Sequence, residues 1–270
     1  RWMGDFEVAT GGGFWVAIRG KALKLLQAAL RLHEDPNLRY QLGQIYFGLA
    51  DYATAIAAYE VAEDGGIQTA QLFGQKGIAF VGLYRQTGDR TFLDKAEAEY
   101  KKAAKLDREQ LINLANVCAQ KGDKDQAIQF LGEFLLEQPE DPHALANLAV
   151  YRFGSQPEKL AAQLETLVQL FPDELVIKNI LADVYYRAHA WRKALLYYHE
   201  VLKPDTPNAY QLEEAYWKAA KCTEWCQPGN KSALLTAGNL VKEGLRRFPE
   251  SKMLRAALKE VEENIKFGRW

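Results

Sequence analysis

The sequence lacks an excess of charge of either sign. It contains 34 Lys and Arg residues against 35 Asp and Glu residues, which leaves a formal net charge of −1. A surface that binds nucleic acid needs lysine and arginine concentrated in a patch, usually with a high isoelectric point. The charge balance therefore argues against nucleic acid as a partner.

Long apolar runs are also missing. The most apolar run near the N-terminus, residues 8–18, is interrupted by three consecutive glycines, Gly11 to Gly13. A helix that spans a bilayer needs about 20 consecutive apolar residues. The sequence therefore predicts no direct membrane insertion in this segment.

Cysteine is scarce: Cys118, Cys222 and Cys226 are the three present. An odd number at these spacings fits neither a disulfide framework nor a zinc pattern. Cys222 and Cys226 lie one helical turn apart and could bind a metal or oxidise, but no histidine follows at ligand spacing. The sequence therefore predicts core thiols and no metal site. This pattern favours a reducing, cytoplasmic compartment, and a periplasmic one stays open.

Motifs for catalysis are absent as well. The Gly11 to Gly13 run has no following Gly-Lys-Ser/Thr, so it does not form a phosphate loop. No histidine is spaced to activate a Cys or Ser nucleophile, and acidic pairs such as Glu97 and Glu99 fit solvated helix faces. We expect no catalytic residues and no cofactor.

What the sequence does contain is a 34-residue period. It carries Asn113 to Asn147, and the neighbouring Leu-Ala pair at 114–115 to the pair at 148–149. A period of this length is typical of repeated helix-turn-helix units, each of which buries its apolar face only against its neighbours. The period predicts an all-α solenoid and leaves one surface of the stack for a partner.

About six units can be aligned, beginning at Pro36. Small residues such as Gly43 and Gly77 alternate with large ones such as Tyr59 and Tyr100, which is expected where two helices cross closely. The second unit has seven additional residues between its helices, around Gly88. The sixth is interrupted near Pro228.

The units share a pattern that is clearest in Tyr-Gln-Leu-Gly-Gln-Ile-Tyr at 40–46, Gly-Asp at 122–123 and Ala127. This pattern resembles the tetratricopeptide repeat family, and the similarity covers roughly residues 21–250. The resemblance implies a right-handed α-solenoid, a superhelix in which the first helix of each unit lines a concave surface. It also implies binding of other proteins or peptides.

The repeat pattern predicts three regions in the chain. Residues 1–19 are expected to form an irregular leader, residues 20–250 the repeat array with one preceding helix, and residues 251–270 a capping helix and tail with Ser251 as N-cap. The leader contains Trp2, Phe6, Phe14 and Trp15. Because exposed aromatic residues are a liability, we expect them to fold back, and residues 1–15 could occupy the concave groove.

The family template places one groove-facing position at a fixed offset in each first helix. Four consecutive repeats carry an amide there, and the fifth and sixth carry Ile180 and Trp217. An amide offers donors and an acceptor, so a row of amides could pair with the backbone of an extended peptide. The alternative is that these amides are ordinary solvent-facing residues. The four amides are Gln41, Gln75, Asn113 and Asn147. Further groove residues are Tyr40, Gln44, Asn116, Asn179, Asp183, Tyr186 and Tyr216.

The same template disfavours one specific ligand. Tetratricopeptide domains that bind chaperone C-termini hold the terminal carboxylate with lysine and arginine, but this sequence has Ile112, Val176 and Ile180 at those positions. The sequence therefore predicts a non-catalytic adaptor or scaffold that binds an extended polypeptide in the groove. The alternatives are a structural subunit of a multiprotein assembly or homo-oligomer, and a periplasmic domain that contacts polysaccharide or an export machine.

Overall fold

The computed structural model describes residues 12–203 and 212–269. The predicted leader at residues 1–11 lies outside this range, so the hypothesis that residues 1–15 occupy the groove stays a prediction. Within the described range the chain forms fourteen α-helices and no β-strand. The described residues group into two compact units, residues 12–152 and residues 153–269, which we call the N-terminal unit and the C-terminal unit.

The N-terminal unit contains the first eight helices, the eighth without its last residue. Each of the first six packs against the next, and α4 also contacts α6. Their bounds are α1 Gly12–Leu32, α2 Pro36–Gly48, α3 Tyr52–Asp64, α4 Ala70–Thr87, α5 Thr91–Leu106, α6 Gln110–Lys121, α7 Lys124–Leu135 and α8 Pro142–Phe153.

The C-terminal unit contains the other six described helices. Each packs against the next in sequence order, while α10 also contacts α12 and α12 contacts α14. Contacts between alternate helices are the signature of stacked helical pairs, so the predicted all-α solenoid is confirmed. The bounds are α9 Pro157–Leu170, α10 Leu175–Arg187, α11 Trp191–Val201, α12 Leu212–Cys226, α13 Lys231–Arg247 and α14 Lys252–Lys266.

Short turns between helices follow from particular residues. Gly122 has φ +98°, a left-handed conformation that suits glycine, and it ends α6. The next residue, Asp123, accepts a hydrogen bond from the backbone N–H of Gln126 at 3.0 Å and so caps α7. The Gly-Asp dipeptide therefore ends one helix and starts the next within two residues.

Glycines opposite buried tyrosines set the close approach of paired helices. A Cβ atom on Gly77 of α4 would lie 2.7 Å from Cζ of Tyr100 on α5, and Tyr100 is only 3% exposed. Gly43 of α2 faces Tyr59 of α3 in the same way. The small and large residues that alternate in the sequence are therefore the ones that pack against each other between paired helices.

Two elements differ from expectation. Helix α1 begins at Gly12, within the stretch predicted as irregular leader, because Val16 to Ile18 can continue a helix although the preceding glycines do not favour one. The seven additional residues of the second unit do not form a loop. They lengthen its helices to 18 residues in α4 and 16 in α5, joined by a short turn at Gly88.

Candidate peptide-binding face

The four amides of the predicted row all lie in the N-terminal unit. Gln41 on α2 is exposed, whereas Gln75 on α4, Asn113 on α6 and Asn147 on α8 are half-buried. The row is therefore accessible at each position. Only part of it is joined by direct contacts.

The clearest contact links α6 and α8. The amide oxygen of Asn116 accepts a hydrogen bond from Nδ2 of Asn147 at 3.3 Å and another from the hydroxyl of Tyr151 at 2.6 Å. Burial raises the pKa of Tyr151 to about 12, so its hydroxyl stays protonated and donates at neutral pH. Tyr151 thereby fixes the orientation of the Asn116 amide.

A second contact joins α4 and α6. Gln110 is 4% exposed, and its amide oxygen accepts a hydrogen bond from Nδ2 of Asn113 at 3.0 Å. A Cβ atom on Gly74 would lie 2.9 Å from that oxygen, so the glycine makes room for the amide against α4. Gln110, Asn113, Asn116 and Asn147 together form what we call the amide cluster.

The amide cluster retains hydrogen-bonding capacity. Among the residues that the structure describes, none pairs with the amide oxygens of Asn113 and Asn147 or with the Nδ2 group of Asn116. These groups supply two acceptors and one donor at half-buried positions. They match the alternating N–H and C=O groups of an extended backbone.

The two other predicted groove residues on α2 have different surroundings. The ring of Tyr40 lies 5.7 Å from the ring of Tyr59, and its hydroxyl is buried. This burial raises the pKa of Tyr40, and the nearby Gln44 amide opposes the shift. Tyr40 therefore contributes mainly to the packing of α2 on α3, and Gln44 is half-buried beside it.

In the C-terminal unit, Asp183 of α10 is held by its own unit. It accepts hydrogen bonds from the hydroxyl of Tyr198 at 2.5 Å and from Nζ of Lys218 at 2.9 Å. Lys218 also pairs with Glu214 at 2.9 Å. These bonds tie α10 to α11 and α12, so Asp183 has a structural role, and Asn179 lies half-buried one turn earlier.

Tyr216 does not lie on an accessible face. It is 1% exposed, and a Cβ atom on Gly244 of α13 would lie 2.9 Å from its Cγ atom. The expectation that Tyr216 lines a groove is therefore wrong, because neighbouring helix residues point about 100° apart and Trp217 takes the outward direction. Trp217 is half-buried, with its ring 6.3 Å from that of Tyr186.

Sequence reasoning missed several residues of these two regions. In the N-terminal unit they are Gln110 and Tyr151, which hold the amides. In the C-terminal unit they are Trp191 and Trp225, whose rings lie 4.5 Å apart and contact Tyr186. The one available signal was the density of tryptophan after residue 190, which the repeat template does not use.

No group of three or more His, Cys, Asp and Glu side chains within the described ranges is arranged to bind a metal ion. None of the helices in the described part of the chain is long and apolar enough to cross a membrane.

The family model of the tetratricopeptide repeat matches residues 36–62 and residues 111–141. The first stretch covers α2 and most of α3, and the second covers nearly all of α6 and the whole of α7. No curated protein matches the chain.

Solved structures with the same fold include a tetratricopeptide repeat protein from Parabacteroides merdae, with 15% identity over 90% of this chain and 92% of that chain and a TM-score of 0.67. Yeast Tom70 is 15% identical over 93% of this chain, with a TM-score of 0.72, and this chain spans 52% of its length. PilW, a type IV pilus biogenesis factor, is 18% identical over 83% of this chain and 98% of that chain, with a TM-score of 0.55.

Identities this low show a shared fold and nothing about partners. Solenoids of such repeats are generally interaction scaffolds without catalytic activity of their own. The stacked helices of both units and the structural likeness show that this chain has the fold of a tetratricopeptide repeat solenoid, and the family model matches two of its repeats.

Proposed function

We propose that the chain is a non-catalytic adaptor or scaffold that binds an extended polypeptide across the amide cluster of the N-terminal unit. The observation that carries this proposal is the pairing of Asn116 with Asn147 and Tyr151, which orients amides from two successive first helices. Oriented amides bind with less loss of side-chain entropy than free ones. They recognise backbone, so a range of peptide sequences is accommodated.

The test is the double substitution Asn113→Ala with Asn147→Ala. A set of unstructured 15-residue peptides on an array identifies a binding sequence, and fluorescence anisotropy then measures its affinity for both proteins. Each lost hydrogen bond to the peptide costs about 0.5–1.5 kcal/mol, so two lost bonds predict binding weaker by roughly 5- to 150-fold. Helicity and melting temperature should change little, because neither side chain fills the core.

Gln120→Ala is the matched control. Gln120 is an exposed amide on the same helix, α6, and lies outside the amide cluster. We expect it to leave affinity unchanged. Equal affinity of the wild type and the double variant would contradict the proposal, and failure of every peptide to bind would favour the alternative of a structural subunit in an assembly.

A further inference from the structure

The C-terminal unit contains a cluster of four large aromatic side chains from three helices. Tyr186 lies near the end of α10, Trp191 begins α11, and Trp217 and Trp225 belong to α12. Ring centroids of Tyr186 lie 5.5 Å from Trp191, 6.3 Å from Trp217 and 5.8 Å from Trp225. Trp191 and Trp225 are 4.5 Å apart. We call these four residues the aromatic cluster.

The aromatic cluster is not a buried core. Trp225 is 43% exposed, and Tyr186, Trp191 and Trp217 are half-buried. A surface depression of about 390 Å³ opens beside Trp191 and Trp225. Because each ring rests against another, the side chains are ordered before any partner arrives, which reduces the entropy cost of binding.

Ring geometry favours a narrow apolar ligand. The planes of Trp191 and Trp225 meet at 51°, and those of Tyr186 and Trp191 at 67°. Tilted rings form a wedge instead of the flat platform on which a sugar ring stacks. Proline fits such a wedge, since proline-rich segments dock in aromatic-lined grooves with little conformational entropy left to lose.

Charge around the wedge selects for an acidic partner. Arg192 lines the depression, Arg187 ends α10, and neither forms an ion pair with any residue of the described chain. The ring of His189 lies 4.7 Å from that of Trp191, and Lys193 reaches Glu165 only at 3.9 Å between exposed side chains.

The nearby carboxylates of α12 are already paired. Glu214 bonds Lys218 at 2.9 Å, and Glu224 bonds Lys221 at 3.4 Å. Lys218 also places its ammonium 5.8 Å from the Tyr186 ring, where a cationic ligand would have to sit. The lining of the depression contains Arg192 and Lys193 and no carboxylate, so it disfavours a quaternary ammonium ligand and attracts Asp or Glu.

We propose that the aromatic cluster is a docking site for an acidic peptide that contains proline, with proline in the wedge and carboxylates on Arg187 and Arg192. This site uses residues of the C-terminal unit alone. It is therefore independent of the amide cluster, and the substitutions Asn113→Ala and Asn147→Ala should leave it unaffected.

The probe is an N-acetylated decapeptide of alternating glutamate and proline, titrated into the ¹⁵N-labelled full chain. A two-dimensional NMR spectrum records the indole N–H signals of the six tryptophans. We expect the signals of Trp191 and Trp225 to shift progressively. Peptides with serine in place of proline, or lysine in place of glutamate, should bind at least about tenfold more weakly because each lacks one of the two attractions.

Two substitutions test the site itself, each with a matched control. Trp225→Ala should weaken binding about tenfold or more, whereas Leu235→Ala, at a residue 48% exposed on α13, should have no effect. Arg192→Glu should have a similar effect, whereas Lys252→Glu at the start of α14 should not. Lys252 is remote from the aromatic cluster. Its neighbour Ser251 donates a hydrogen bond to Glu213 at the N-terminal end of α12, whereas Trp225 lies at the C-terminal end of that helix.

Any of three results would overturn the proposal. One is the absence of indole shifts up to about 1 mM peptide, which is already weaker than ordinary specific binding. Another is a loss of discrimination: either the lysine peptide binds as tightly as the glutamate peptide, or Trp225→Ala and Arg192→Glu both bind the glutamate peptide as tightly as the wild type does. The third is a shift of the same indole signals on addition of cellohexaose but not on addition of the acidic peptide. That result would show that the aromatic cluster binds carbohydrate.

Discussion

Glycine opposite tyrosine determines how closely the helices of a pair approach in the N-terminal unit. Gly77 has no Cβ, and the Tyr100 ring occupies the space that a Cβ would take. Glycine in a helix costs about 1 kcal/mol relative to alanine, so it is retained here for packing. Gly132 of α7 has no atom within 4 Å of its hypothetical Cβ, so no such packing reason applies there.

Gly77→Ala and Gly132→Ala should therefore change stability in opposite directions. Gly77→Ala forces the buried ring of Tyr100 to move, and we expect a net loss of about 1–2 kcal/mol in the free energy of unfolding, because overpacking outweighs the gain in helix propensity. Gly132→Ala should gain about 0.5–1 kcal/mol.

Urea unfolding followed by circular dichroism measures both changes. Gly132→Ala serves as the control for the helix-propensity effect of alanine. A stabilising Gly77→Ala would show that the ring moves away at little cost, and would contradict the role given to this glycine.

The structure also shows which residues could be predicted from sequence. Asn116 and Asn147 were expected on one face, and they form a hydrogen bond. Tyr216 was assigned to the wrong face, because an error of one residue in a helical register turns a side chain by about 100°. Trp191 and Trp225 were missed, since their contact joins the start of one helix to the end of another.

At the level of helices, periodicity predicted type and order better than length. The repeat period indicated the pairs α2 with α3 and α6 with α7, and the family model matches both. It did not predict that added residues would extend α4 and α5, because extension depends on a partner surface that the local sequence does not contain. The start of α1 at Gly12 was missed because the consecutive glycines there do not favour a helix.

The terminal helix α14 depends on the N-cap residue that precedes it. The hydroxyl oxygen of Ser251 accepts a hydrogen bond from the backbone N–H of Leu254 at 3.0 Å, and the hydroxyl donates to Glu213 of α12 at 2.5 Å. The predicted N-cap is therefore confirmed, and it also attaches α14 to α12. Leu254, Ala257 and Val261 then bury the apolar face of α14.

Ser251→Ala should destabilise α14 more than the rest of the chain. Loss of the cap costs about 1 kcal/mol, and the unpaired Glu213 adds to this cost. Hydrogen exchange followed by mass spectrometry should show faster exchange over residues 252–266.

Ser232→Ala is the matched control, because Ser232 is exposed in the first turn of α13, where Asn230 provides the cap. It should alter stability by less than about 0.5 kcal/mol. Unchanged exchange in α14 of Ser251→Ala would show that packing alone holds this helix.

Considered as a whole, the described chain buries many groups that ionise only at high pH. Burial raises the pKa of Cys118 to about 11 and that of Cys222 to about 12. Burial also raises the pKa of Tyr59, Tyr100 and Tyr198 above the usual tyrosine range, and the carboxylate of Asp183 raises that of Tyr198 further. These groups are distributed over both units.

The melting temperature should therefore fall at alkaline pH. In the unfolded chain cysteine ionises near pH 8.5 and tyrosine near pH 10, about two or more units below the folded values. Stability is fully present below about pH 8.5, and it is lost as the pH rises toward the folded pKa values, because only the unfolded state releases protons in this window.

Circular dichroism melts from pH 7 to pH 11 measure this decline. The Cys118→Ala, Cys222→Ala variant is the control: its melting temperature, although lower overall, should fall less than that of the wild type up to about pH 9.5, where tyrosine begins to ionise. A melting temperature of the wild type that stays constant to pH 11 would contradict the assignment of these thiols and hydroxyls to the interior.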